Sequence, residues 1–216
     1  MSSYVIDPPK AAAIPVAGGG LFPVRRIFCV GRNYADHAKE MGAAPGDPIF
    51  FTKPADAVVV DGVVPYASAT QDLHHEVELV VALGPGAQVF GYAVGLDLTR
   101  RDLQTAAKQK GQPWDTGKAF DHSAPIGEIV RAEVVGDLAP RTLSLTINGE
   151  ERQRSTLDQM IWDVPAILAS LSKFWELKAG DLVFTGTPAG VAAVHPGDRF
   201  EARLDDVLHL QGTITR

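Results

Sequence analysis

Residues 74–81 read His-His-Glu-Val-Glu-Leu-Val-Val, two carboxylates inside a run that otherwise suits burial. Along a strand every second side chain points to the same face, so Glu76 and Glu78 share one. Two like charges against an apolar wall destabilise a fold unless a cation, a proton or a basic group offsets them. Any fold of this chain must therefore bring such an offset to that strand.

The rest of the chain predicts a β-rich partner for it. Val24–Val30 and Ile49–Pro54 read as strands, and Ala57–Val64 as a pair of short strands with Asp61-Gly62 as the hairpin turn. Residues 76–83 and 88–98 are two further strands joined by Gly-Pro-Gly. Leu143–Arg154 forms a hairpin around Asn148-Gly149. Helices are expected at Gly31–Gly42, at 99–109 with Thr99 as N-cap, and from Asp163, where Pro165 lies in the first turn. Residues 1–23 read as an extended arm, and residues 24–216 as one domain of the mainly β, α+β class. Gly18–Gly20 lack the Lys-Ser/Thr and the helix that a phosphate loop requires.

If residues 76–83 and 88–98 pair antiparallel, Asp97 near the end of one approaches Glu76 at the start of the other. Glu76, Glu78 and Asp97 then form a three-oxygen site suited to a hard cation, Mg²⁺ or Mn²⁺, with positions left for water and substrate. His74 shares their face and is an alternative ligand, whereas His75 points away. His37 and Glu40 stand three apart on a helix, where a carboxylate orients an imidazole as a general base. The Gly-Ala-Ala-Pro-Gly-Asp-Pro stretch after them, residues 42–48, reads as a flexible hinge. The Gly-, Pro- and aromatic-rich segment 110–125 carries Lys118 towards whatever it covers. In Phe-Thr-Gly-Thr-Pro-Ala-Gly, the backbone amides and the Thr187 hydroxyl could bind a carboxylate.

A net charge of −6 argues against non-specific nucleic-acid binding, and no stretch is apolar for long enough to span a bilayer. The single Cys29 forms no intrachain disulfide, and the start lacks the features of a secretory signal, so a reducing, cytoplasmic setting is expected.

Six ordered stretches together resemble the fumarylacetoacetate hydrolase family: Phe-Cys-Val-Gly-Arg-Asn-Tyr-Ala-Asp-His from Phe28, Phe-Thr-Lys-Pro from Phe51, His-His-Glu-Val-Glu-Leu from His74, Gly-Leu-Asp-Leu-Thr-Arg-Arg-Asp-Leu-Gln from Gly95, Pro-Trp-Asp-Thr-Gly-Lys-Ala-Phe-Asp from Pro113 and Thr-Gly-Thr-Pro from Thr185. The resemblance implies a mixed β-sandwich or β-roll, a homodimer, and one Mg²⁺ or Mn²⁺ per chain on Glu76, Glu78 and Asp97. It implies a water-activating dyad of His37 and Glu40, an active-site Lys118, and substrate contacts at Arg32, Lys53, Arg101, Gln104 and Thr187. Within the family the chain is similar to fumarylpyruvate hydrolases and acylpyruvases. Hydrolysis of a 2,4-diketo acid, fumarylpyruvate to fumarate and pyruvate in gentisate catabolism, is the first expectation. Oxaloacetate decarboxylation or diacid isomerisation and tautomerisation on the same metal is the alternative. A non-catalytic Ca²⁺-binding β-sandwich would need neither Lys118 nor the His37–Glu40 pair.

Overall fold

Burial on both faces explains why the strand that carries the carboxylates is so apolar. In the structure, a computed structural model describing residues 4–40 and 47–216, two sheets share the core. In chain order the strands that matter are β1 (Arg26–Gly31), β2 (Ile49–Lys53), β3 (Val63–Pro65), β4 (Val77–Leu83), β5 (Val89–Leu96), β6 (Thr142–Ile147), β7 (Glu150–Thr156), β8 (Asp181–Phe184), β9 (Arg199–Leu204) and β10 (Leu208–Thr215). Helices are α1 (Ala35–Glu40), α2 (Arg101–Lys110), α3 (Asp115–Lys118), α4 (Ala132–Val135) and α5 (Val164–Leu171). The first sheet runs Val130–Arg131, β5, β4, β8, β1, β2, and the second runs β7, β6, β9, β10, β3. The mainly β fold with few short helices is the expected one.

Every residue of β4 is buried. Val77, Leu79, Val81 and Leu83 join one apolar cluster with Leu143, Leu145 and Phe200 of the second sheet. Val80 and Ala82 face the other way, into a cluster with Ile27, Cys29, Leu182 and Phe184. Cys29 is thus a small core hydrophobe. Glu78 lies on the Val80–Ala82 face, at the end where that second cluster gives way to the site.

Two strand pairings depart from expectation. Residues 57–64 do not close a hairpin: Val58–Val59 pairs in parallel with Ala124–Pro125, whereas β3 pairs in parallel with β10. The Asp61-Gly62 signal is local, and it is realised as a turn in which Asp61 Oδ1 accepts the Val63 amide at 3.0 Å; distant partners decide the pairing. Part of the presumed arm folds back, Ala13–Pro15 pairing with Leu21–Pro23 and burying Ile14 and Phe22. The Asn148-Gly149 hairpin forms as read, both residues adopting positive φ, +54° and +81°.

The helices depart mainly at their starts. Thr99 is not the N-cap of α2. It pairs with His74 in a short strand bridge, and Arg100 takes the capping position. The α5 cap is Asp163, whose Oδ1 accepts from Ala166 N at 2.8 Å. The hinge expected at 42–48 lies largely outside the described residues.

Candidate metal centre and its pocket

The ladder between β4 and β5 gathers the three carboxylates. Val77 faces Leu96 and Glu78 faces Gly95, and the pairing continues one step further with Asp97 N donating to Glu76 O at 2.8 Å. Asp97 therefore stands directly across from Glu76, one residue beyond the end of each strand. The ligand oxygens of Glu76, Glu78 and Asp97 all lie within 4.8 Å of one another, and all three residues are buried.

Basic side chains from three elements meet this cluster. Lys118, at the end of α3, donates to Glu76 Oε2 at 2.8 Å and Asp97 Oδ2 at 2.6 Å. Gly117 lets α3 approach α2 that closely, since a Cβ there would lie 2.9 Å from Gln104 N. Arg101 on α2 donates to Glu76 Oε1 through Nη2 and to Gln104 Oε1 through Nη1 at 2.6 Å. Lys53, ending β2, donates to the carbonyls of Leu98 and Lys118. Its Nζ also lies 2.8 Å from Asp97 Oδ1, but off the hydrogen-bonding direction, so that buried oxygen receives no hydrogen bond from the described residues.

Among the described residues no cation pairs with Glu78. Its only hydrogen bond among the described residues comes from Gly186 N, which donates to Oε2 at 2.8 Å. Burial, then the charges of Asp97 and Glu76, push its carboxyl well above the usual range. Burial also opposes ionisation of Glu76, yet Lys118 and Arg101 hold it far below that range. A buried set of hard oxygens, one without a donor and one starved of positive charge, suits a divalent cation. The expected triad fits its group.

His74 is not part of it. Its Nε2 lies 2.8 Å from Asp72 Oδ1, and its Nδ1 accepts from Arg101 Nε at 3.4 Å, so it braces the arginine from outside. Alternation fails here because Glu76 interrupts the strand between Leu73–His75 and β4. His75 points away as read, buried with Nδ1 2.9 Å from Gln153 Oε1.

The cavity over the triad is small, about 30 Å³, and is walled by Arg32, His37, Phe51, Arg101, Gln104, Lys108, Trp114, Lys118 and Thr187. His37 is buried with Nδ1 3.2 Å from Glu40 Oε2, and Glu40 in turn accepts from Gly190 N at 3.2 Å and 3.3 Å. Thr187 donates to Val77 O and accepts from Gln153 Nε2, both at 2.8 Å. Its hydroxyl and the Gly186 amide thus hold the edge of β4. Gln153 and Lys108 escaped the sequence reading. Gln153 is a lone inward polar residue on β7, with no sequence signal. Lys108 could have been found, because it continues the helical spacing of Arg101 and Gln104.

Comparison with known proteins follows the same lines. The family model described as fumarylacetoacetate (FAA) hydrolase C-terminal matches residues 26–215. The oxaloacetate tautomerase YcgM of Escherichia coli is 45% identical over 198 residues, covering 85% of this chain and 90% of that one. The mitochondrial oxaloacetate tautomerase FAHD1 of Bos taurus is 40% identical over 204 residues, covering 89% and 92%. The crystal structure of fumarylpyruvate hydrolase from Pseudomonas aeruginosa with Mn²⁺ and pyruvate superposes with a TM-score of 0.94 at 45% identity, covering 99% of each chain.

Proposed function

Since the chain belongs to the fumarylacetoacetate hydrolase family, we propose that it is a divalent-metal enzyme acting on a four-carbon 2-oxo diacid, interconverting the enol and keto forms of oxaloacetate. The pocket is bipolar, with three carboxylates on its floor and Arg32, Arg101, Lys108 and Lys118 around its wall. That polarity suits a dianionic 2-oxo acid, held by a cation at one end and by basic side chains at the other. One observation carries the choice of oxaloacetate among such acids: two relatives named oxaloacetate tautomerases are similar over more than four-fifths of this chain.

A divalent ion on Glu76, Glu78 and Asp97 would polarise a bound 2-oxo group as a Lewis acid. The protein's own side chains supply the rest. Arg101 and Gln104, fixed to each other, face the acid end of the substrate. Burial opposes the Lys118 charge, but Asp97 and Glu76 raise its pKa above the ordinary lysine value. It therefore stays cationic beside the 2-oxygen as negative charge develops there. In ketonisation the enol O–H loses its proton and C3 gains one. His37, with Nδ1 held by Glu40, presents Nε2 as the group that carries the proton between these positions. No water enters the balance.

Hydrolysis of fumarylpyruvate is the second reading, favoured by the Pseudomonas structure and by the same His37–Glu40 pair acting on water. A cytoplasmic homodimer accords with the family resemblance and the lone buried cysteine; no helix among the described residues is long and apolar enough to cross a membrane. The test is to follow loss of enol-oxaloacetate absorbance in Mg²⁺, with and without EDTA, beside hydrolysis of fumarylpyruvate. Metal-dependent ketonisation with the larger kcat/KM is expected. Fumarylpyruvate turned over about 100-fold more efficiently would reverse the order of the two readings.

A further inference from the structure

Most cations around the pocket are already matched to anions. Lys118 and Arg101 bind Glu76, Lys118 also binds Asp97, and Lys53 lies against Asp97. Two are not. Neither Arg32 nor Lys108 has an ion pair or side-chain hydrogen bond with any described residue, although both line the cavity. Arg32 is held there by a left-handed backbone, φ +64°, which a non-glycine residue seldom adopts.

Lys108 is placed by its helix. Arg101, Gln104 and Lys108 stand at i, i+3 and i+7 on one face of α2, and all three border the pocket. The first two reach the floor, where Arg101 meets Glu76. One turn further on, Lys108 reaches the rim, its Nζ 4.9 Å from the centre of the Trp114 ring. It is half-buried among like charges: burial, then Arg101, with Arg32 and Lys118 adding, lower its pKa to about 8, while Glu76 pulls it up. A lysine kept partly out of water beside three other cations, with no carboxylate of its own, destabilises the empty pocket and is relieved when an anion arrives.

We propose that Lys108, together with Arg32, forms a subsite for the distal carboxylate of a dianionic 2-oxo acid, and that Lys108 sets the preference for diacids over monoacids. The inference rests on the 2-oxo diacid reading of the site and adds a selectivity residue to it. The metal end of the pocket takes the 2-oxo acid group that every such substrate shares. The Lys108 end recognises what only the diacids carry.

Malate and lactate test this directly, because both are 2-hydroxy acids that cannot enolise and they differ only in the distal carboxylate. Calorimetric titration of the Mn²⁺-loaded protein is expected to show malate binding more tightly than lactate. Lys108→Met should weaken malate by about 10- to 100-fold, the range of a charge-assisted hydrogen bond, and lactate by less than about 3-fold. Lys108→Arg should keep malate within about 5-fold of the parent. Equal weakening of both acids, or of neither, overturns the assignment of Lys108. If the parent protein itself does not distinguish malate from lactate, the diacid reading fails and the subsite with it. Unchanged Mn²⁺ affinity in Lys108→Met establishes that the site beneath is intact.

Discussion

Replacing Lys118 by methionine separates its part in metal-free stability from its part in catalysis. In the metal-free protein its ammonium holds Glu76 Oε2 at 2.8 Å and Asp97 Oδ2 at 2.6 Å, with both side chains almost fully buried. Breaking a buried ion pair by removing one partner destabilises by about 3–5 kcal/mol. Here Glu76 keeps Arg101 and Asp97 keeps the nearby Lys53, which sets the expected loss at the low end, about 3 kcal/mol. Saturating Mn²⁺ supplies its own positive charge to the same oxygens, so the loss should shrink to about 1 kcal/mol. By linkage, the difference of about 2 kcal/mol means that the variant binds Mn²⁺ about 30-fold more tightly than the parent. Urea unfolding in EDTA and in Mn²⁺, with Mn²⁺ titration of both proteins, closes the thermodynamic cycle. Turnover should be lost throughout. Equal destabilisation in both buffers, or weaker Mn²⁺ binding, would refute the idea that lysine and metal serve the same carboxylates.

Gln153 accepts from Val77 N at 3.0 Å, between two ligand residues, and donates to Thr187 Oγ1 and Pro188 O, both at 2.8 Å. Gln153→Ala leaves several buried groups unpaired at about 1–3 kcal/mol each, so urea unfolding should show a loss of about 3 kcal/mol, with weaker Mn²⁺ binding; a loss below about 1 kcal/mol with Mn²⁺ affinity unchanged would count against it. Malate affinity should be level below pH 8 and fall as pH rises through about 8, because Lys108 then loses its proton and its charge. Arg101 and Gln104 on its own helix, and Arg32, Lys118, Glu76 and Trp114 from other elements, surround it. A profile of the same shape in Lys108→Met would assign the titration elsewhere.

What could be read in advance was local. Glu76, Glu78 and Asp97 were legible because a two-residue period and a short hairpin connection leave one antiparallel register to consider. His37 and Glu40 were legible because a helix makes neighbours of residues three apart. The failures were at longer range. Nothing in Asp61-Gly62 says that the strands beside it take partners 66 and 150 residues away, as Val58–Ala124 and Val63–Thr213 do. His74 was misjudged because alternation presumes an unbroken strand, and the chain leaves the ladder at Glu76. In the Thr185–Thr187 turn the Gly186 amide does bind a carboxylate, that of Glu78, and Thr187 lines the cavity while its hydroxyl donates to Val77 O. Polar groups in a turn advertise that they will be satisfied, without saying by what.

The middle of the first sheet has a consequence for how the chain is made. Strand β8 lies between β1, which it joins in parallel, and β4, which it joins antiparallel, yet it is the last of that sheet to leave the ribosome. Until Asp181–Phe184 emerges, β1 and β4 both present open, apolar edges with no strand to bridge them. Glu78 also lacks its hydrogen bond in that interval, because the amide that holds it belongs to Gly186. Assembly of the site therefore waits until residues 181–186 have been made, and a nascent chain stalled before that point is prone to aggregate.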